Sequence, residues 1–178
     1  MNKAAWIIAA GVAVVLATAG GVGYTMYAQN AADQAEEKKW APLIAAQETA
    51  HGIPAGLLHR QLYEESHYRT DIIYGPTVSS VGAEGIAQFM PATARDYGIT
   101  NPFDPSQEIP AAARMMADLH REFGSWSLAL AAYNWGSGNV AKWINTGVGV
   151  NDGPMPAQTV AYVQDITSAV PAAADYQV

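Results

Sequence analysis

Residues 54–68 read PAGLLHRQLYEESHY, and their spacing is helical. At about 100° per residue, with Leu57 at zero, Leu58 falls near 100°, Leu62 near 140° and Glu65 near 80°. These residues share one stripe. Glu64 falls near 340°, at its margin. One of two adjacent carboxylates is thus turned towards a core or cleft, and the other towards water. A carboxylate taken out of water has its pKa raised, because desolvation disfavours the charged form. That is the condition for a general acid near neutral pH. The alternative is a structural ion pair of Glu65 with Arg60, Arg69 or Arg114.

Helical signals continue on both sides of this stretch. Pro42 to His51 closes with Gly52, a C-cap signal, and Pro54 opens the next helix where Pro is tolerated. Further helices are expected at Pro91–Tyr97, Pro110–Phe123, Ser127–Trp135, Asn139–Ile144 and Pro156–Val170, with Ser125 as an N-cap. Only Ile72 to Val81 has room for a short hairpin. The expectation is an all-α domain over residues 40–171, without internal repeat, followed by a short tail at 172–178.

Half of the 178 residues are hydrophobic, so a real core is available. The formal charge is −7, from 9 Lys+Arg against 16 Asp+Glu. That argues against a nucleic-acid binder, whose phosphate contacts need clustered Lys and Arg. Cysteine is absent, which rules out disulfide scaffolds, thiol nucleophiles and Cys-ligated metals. The four His are scattered and show no metal-ligand spacing.

Ahead of the domain, Ala4 to Ala28 carry no charge. About 20 apolar residues suffice to cross a bilayer as a helix, so residues 1–28 read as a transmembrane anchor. Trp6, Tyr24 and Tyr27 lie near its ends, where aromatic rings favour the headgroup zone. The competing reading is a signal peptide cut after Ala17-Thr18-Ala19. Residues 29–39 (QNAADQAEEKK) read as a solvated helical spacer. Either way the domain is expected on the far side of a membrane.

Two further segments carry chemistry: Gly82 to Ala94 (GAEGIAQFMPATA) and Ala131 to Val140 (AAYNWGSGNV). Gly82 and Gly85 permit a tight turn close to a ligand. Gln88 offers the donors and acceptor that sugar hydroxyls and N-acetyl amides require. Met90 and Phe89 can pack around the acid, and Tyr133 and Asn134 sit where a helix ends. Taken singly, each also reads as turn punctuation, core or a half-buried aromatic.

Here the sequence resembles the soluble-lytic-transglycosylase (SLT) domain, the lysozyme-like family that cuts bacterial peptidoglycan. The family's catalytic Glu-Ser matches Glu65-Ser66. Its Gly-Ala-x-Gly-Leu-Met-Gln-x-Met-Pro-x-Thr-Ala block matches Gly82 to Ala94, and its Ala-Tyr-Asn-Ala-Gly-x-Gly block matches Ala132 to Gly138. A late Glu-Thr-x-x-Tyr-Val matches Gln158 to Val163. The resemblance spans Trp40 to Val170 and implies an all-α lysozyme-like fold. It implies Glu65 as the one catalytic residue, and Ser79, Gln88, Met90, Tyr133, Asn134 and Tyr162 as substrate-binding residues, with no metal or cofactor. Departures are a small insertion within Arg69–Val78 before Ser79, Ala87 and Trp135 in place of Met and Ala, and Gln158 in place of Glu.

The expected activity is lytic cleavage between N-acetylmuramic acid and N-acetylglucosamine, closing a 1,6-anhydro ring. The expected place is a bacterial inner membrane or phage virion membrane, with the domain facing the periplasm or wall. Peptidoglycan strands, the membrane and virion or secretion-complex proteins are the expected partners. Two rivals stand beside this. A hydrolytic lysozyme would need a second carboxylate, for which Asp71 and Glu84 are candidates. A wall-binding or structural membrane protein would need no acid at all.

Overall fold

The computed structural model describes residues 5–9, 12–16, 22–75 and 77–178, with side chains from Gln29 onward. At the N-terminus, β1 (Ala5–Ala9) pairs antiparallel with β2 (Val12–Leu16), Ala5 opposite Leu16 and Ala9 opposite Val12. Helix begins only with α1 (Val22–His51). The single helix expected over Ala4–Ala28 is therefore corrected. Among the described residues no helix is long and apolar enough to cross a membrane. Hydropathy alone led to the helix, whereas Trp6, Ile7, Ile8, Val12, Val14 and Val15 are aromatic or β-branched and suit extended pairing. Ala17-Thr18-Ala19 lies outside the described residues.

The remainder is helical. α1 runs through Pro42, so the polar stretch 29–39 and the first expected domain helix are one element. α2 (Leu57–Ser66) starts three residues after Pro54, because Gly56 takes a left-handed φ of 86° and Leu57 N turns back onto Pro54 O. Gly56 has no side chain to cap the helix. Glu48 of α1 supplies the cap instead, accepting from Gly56 N at 2.9 Å and His59 N at 3.1 Å. That satisfies amides which the first turn leaves free and places negative charge at the positive end of the helix.

No hairpin forms among the described residues of Ile72 to Val81. The short helix α3 (Thr70–Ile73) buries Ile73, and the nearby bridge is Glu84 with Phe89. α4 (Pro91–Asp96) follows the loop. α5 (Pro105–Phe123) starts earlier than Pro110, with Asp104 accepting from Ser106 N and Pro105 in the first turn. Asp and Pro at these places are the ordinary start signals.

α6 (Trp126–Trp135) buries every residue from Trp126 to Ala132. A helix apolar all round belongs inside, and α5, α7 (Ser137–Thr146) and α8 (Ala157–Ala169) pack around it. Ser125 caps it as expected, accepting from Leu128 N. Asp175 adds a second cap. Its carboxylate accepts from Ser125 Oγ at 2.7 Å, Trp126 N at 2.8 Å and Ser127 N at 3.0 Å. The C-terminal residues are thus stapled to the central helix.

Candidate active site

Glu65 lies in the last turn of α2, whose inner face buries Leu57, Leu58, Gln61 and Leu62. The next residue explains why the chain turns there. Ser66 is fully buried; its hydroxyl donates to Leu62 O at 3.0 Å and accepts from Tyr68 N at 3.2 Å. That bond stabilises the left-handed backbone of His67 and Tyr68 and ends the helix behind the acid. One half-buried carboxyl group then faces α8. Tyr162 donates its hydroxyl proton to Glu65 Oε1 across 2.7 Å.

Burial pushes the Glu65 pKa up to about 7; the Tyr162 bond pulls it down and the charge of Glu64 adds to the rise. None of the arginines that could have paired with Glu65 does so. Arg60 engages Glu64, Arg69 engages Asp71, and Arg114 donates to Tyr97 O. The ion-pair alternative is thereby set aside, and the two carboxylates differ as their helix positions require.

The other expected residues fall into two groups. Tyr133 and Tyr162 stand close to the acid: the charge of Glu65 helps hold both phenols well above their usual pKa, after burial itself. Tyr133 donates to Ala87 O at 2.9 Å, so it fixes the Gly82–Phe89 loop. Gln88 sits on that loop in a left-handed conformation, φ 50°, and its amide donates to Gly85 O at 2.9 Å. The second group, like Tyr133 and Gln88, makes no hydrogen bond to Glu65, which Tyr162 alone of the expected residues reaches. Asn134 Oδ1 accepts from Thr159 at 2.8 Å and ties α6 to α8. Ser79 accepts from Ala83 N at 2.8 Å and closes the turn ahead of the loop. Met90 is 43% exposed at the start of α4. Gln158 is exposed, while its neighbour Thr159 holds Asn134.

Of the two rival bases, Asp71 is committed elsewhere. Burial is the largest single influence on its carboxyl and raises the pKa, but the hydrogen bonds from Arg69 and Thr77 and the Arg69 charge together hold it below the usual range. Glu84 pairs its backbone with Phe89.

The family described as "Transglycosylase SLT domain" matches residues 42–151. This chain belongs to that family. Over 102 residues it is 40% identical to "Transglycosylase" of Enterobacteria phage PRD1, covering 49% of this chain and 38% of that one. It is 37% identical over 98 residues to "Membrane-bound lytic murein transglycosylase D" of Escherichia coli K12, covering 48% and 22%. The 70 kDa soluble lytic transglycosylase of E. coli shares the fold, with a TM-score of 0.62 at 23% identity, over 82% of this chain and 28% of that one. The chain thus spans well under half the length of these relatives.

Three residues of this SLT domain escape sequence reasoning. Glu48 caps α2 from another helix. Gln61 is fully buried one turn below Glu65, beside the Tyr162 hydroxyl, and neither end of its amide has a formed hydrogen bond. Glu108 is fully buried under the loop, and its Oε2 accepts from Ala87 N at 3.0 Å. The Asp104-Pro105 start signal was the cue that would have put Glu108 in a first turn.

Proposed function

We propose that the chain is a peptidoglycan lytic transglycosylase that cuts the β-1,4 bond between N-acetylmuramic acid and N-acetylglucosamine. The observation that supports this best is the Glu65 carboxyl: free of any cation, bound to Tyr162 and titrating near 7. A group half protonated at neutral pH can give a proton and take one back. Glu65 protonates the bridging oxygen, the C1–O bond breaks, and N-acetylglucosamine leaves with its hydroxyl restored. The substrate's own N-acetyl oxygen stabilises C1. The Glu65 carboxylate then takes the C6 hydroxyl proton as that oxygen bonds to C1. A 1,6-anhydro ring results and the acid is regenerated. Glycosidases in general employ two carboxylates, but a nucleophile already carried by the substrate replaces the second.

On this reading Gln88 and Asn134 are the polar groups for hydroxyls and acetamides, with Met90 and Ser79 along the sugar path. Tyr162 tunes the acid, and Tyr133 shapes the loop. The reaction uses no cofactor. We further place the domain on the wall side of a membrane, associated with it through the uncharged residues before it rather than by a spanning helix, in a phage virion, a secretion or conjugation machine, or wall turnover. A phage relative and relatives named membrane-bound support that setting. Cell fractionation of the full chain against one lacking residues 1–28 tests it; equal release into the soluble fraction overturns it.

The activity test is digestion of purified peptidoglycan by the full chain, read by mass spectrometry. Muropeptides ending in 1,6-anhydro-N-acetylmuramic acid, each lighter by one water than a hydrolytic product, are expected. Reducing-end products instead make the chain a hydrolase and point to Glu84 or Asp71. A folded chain that yields neither is a wall-binding protein.

A further inference from the structure

Glu108 occupies the first turn of α5, with no solvent exposure. Above it the loop lies so close that a Cβ on Gly85 would stand 2.2 Å from Glu108 Oε2 and 2.0 Å from Pro102 O. Ala87 is held from two sides: its N–H donates to Glu108, and its carbonyl accepts from Tyr133 of α6. The next residue is Gln88, in the left-handed region that non-glycine residues seldom enter. Backbone bonds between Glu84 and Phe89 close the loop behind it. A strained residue persists only where its surroundings over-determine it, and here the two grips on Ala87 do so.

We propose that Glu108 is a positioning residue for Gln88: its carboxyl group holds Ala87 from below while Tyr133 holds it from the side, so that the loop presents Gln88 to the sugar. This rests on the transglycosylase reading and adds a residue to it. The group is neutral at the working pH. Burial pushes its pKa up to about 8, the loop amides oppose this, and the charges of Glu84 on the loop and Glu65 on α2 raise it further. Tyr133 of α6 is a further titratable neighbour. Above pH 8 an uncompensated charge appears under the loop, which a buried site does not tolerate without rearranging.

The test compares the full wild-type chain with E108Q and E108L. Loss of the Glu65 proton makes wild-type kcat/KM fall about tenfold per pH unit above 7, and loss of the Glu108 proton steepens this to about a hundredfold per unit above 8. E108Q keeps an oxygen for Ala87 N–H and cannot ionise. It is expected within about threefold of wild type near pH 6, and it stays at about tenfold per unit throughout. E108L, with circular dichroism unchanged, is expected at least about tenfold lower at every pH. Equal steepening in E108Q, or wild-type kcat/KM in a folded E108L, overturns the proposal.

Thermal midpoints read the same group without activity. Its stabilising contribution is complete below the unfolded pKa of 4.5 and is lost as pH rises to about 8. The midpoint of E108Q is therefore expected to gain on wild type between these values and then to run parallel. A constant difference overturns the proposal. A widening difference in a chain that releases no anhydro product sinks the transglycosylase reading, and Gln88's sugar role with it.

Discussion

The Tyr162 hydroxyl donates to Glu65 Oε1 at 2.7 Å, joining α8 to α2 across 97 positions of chain. This bond stabilises the carboxylate and so opposes the rise that burial imposes. Removing it in Tyr162→Phe should raise the Glu65 pKa further. A hydrogen bond to a charged group is worth about 1.5–3 kcal/mol, and a pH unit corresponds to about 1.36 kcal/mol. The acid works protonated, so a higher pKa extends activity to higher pH. The alkaline fall of kcat/KM is expected to move up by about one pH unit, to where Glu108 ionises near 8. An unmoved fall means that the bond does not tune the acid.

Glu64 and Glu65 are neighbours in the chain with different surroundings. Glu65→Gln is expected to abolish the release of anhydro-muropeptides, because no proton is available to the leaving oxygen. Its thermal midpoint should match or exceed that of wild type. The folded pKa of about 7 lies above the ordinary 4.5, so the wild-type carboxyl loses stability as pH rises between the two, and Gln does not. Glu64→Gln breaks the pair with Arg60, and such partly exposed pairs contribute about 0–1 kcal/mol. It also removes the smallest contribution to the Glu65 rise. It should retain most activity. The reverse ranking of the two variants overturns the assignment of the acid.

How much of this was legible depends on the range of each interaction. The helix face that aims Glu65 inward is a matter of period, and so was available from residues 57–65. The Ser125 cap is equally local. Tyr162 is not derivable in that way. Its place beside Glu65 depends on how α8 packs on α2, and only the family resemblance named it. Glu108 stayed hidden because a helix read from Pro110 leaves it in a loop. The N-terminal residues failed differently: an uncharged run satisfies a hydropathy rule in helix or strand alike, and β-branched residues decided for strand in the described part.

Gln61 offers a check on packing. Its amide is buried without a formed hydrogen bond, and such a group destabilises by about 1–3 kcal/mol. Methionine has nearly the same shape and no such requirement. Gln61→Met is expected to raise stability by about 1 kcal/mol in urea unfolding, with the slope unchanged. A loss of stability would mean that the amide finds its partner in Tyr162.

The polar stretch 29–39 reads in composition as a solvated spacer, but its side chains touch the domain. Tyr74, just past α3, donates to Glu36 at 2.5 Å and accepts from Lys39 at 2.7 Å. Trp40 Nε1 donates to Glu36 at 2.9 Å, and His59 of α2 pairs with Glu37 at 3.2 Å. These groups are partly exposed, so each contributes little. Together they fasten α1 to α2 and to the turn after α3. Removing residues 1–39 should destabilise the remainder by about 1–3 kcal/mol. For a domain of this size that is a fall of roughly 3–10 °C in thermal midpoint. Tyr74→Phe in the full chain removes the shared hydroxyl alone and should show a smaller part of the same fall. If the shortened chain melts where the full chain does, the stretch is a spacer after all, and the domain begins near Trp40 as the family match suggests.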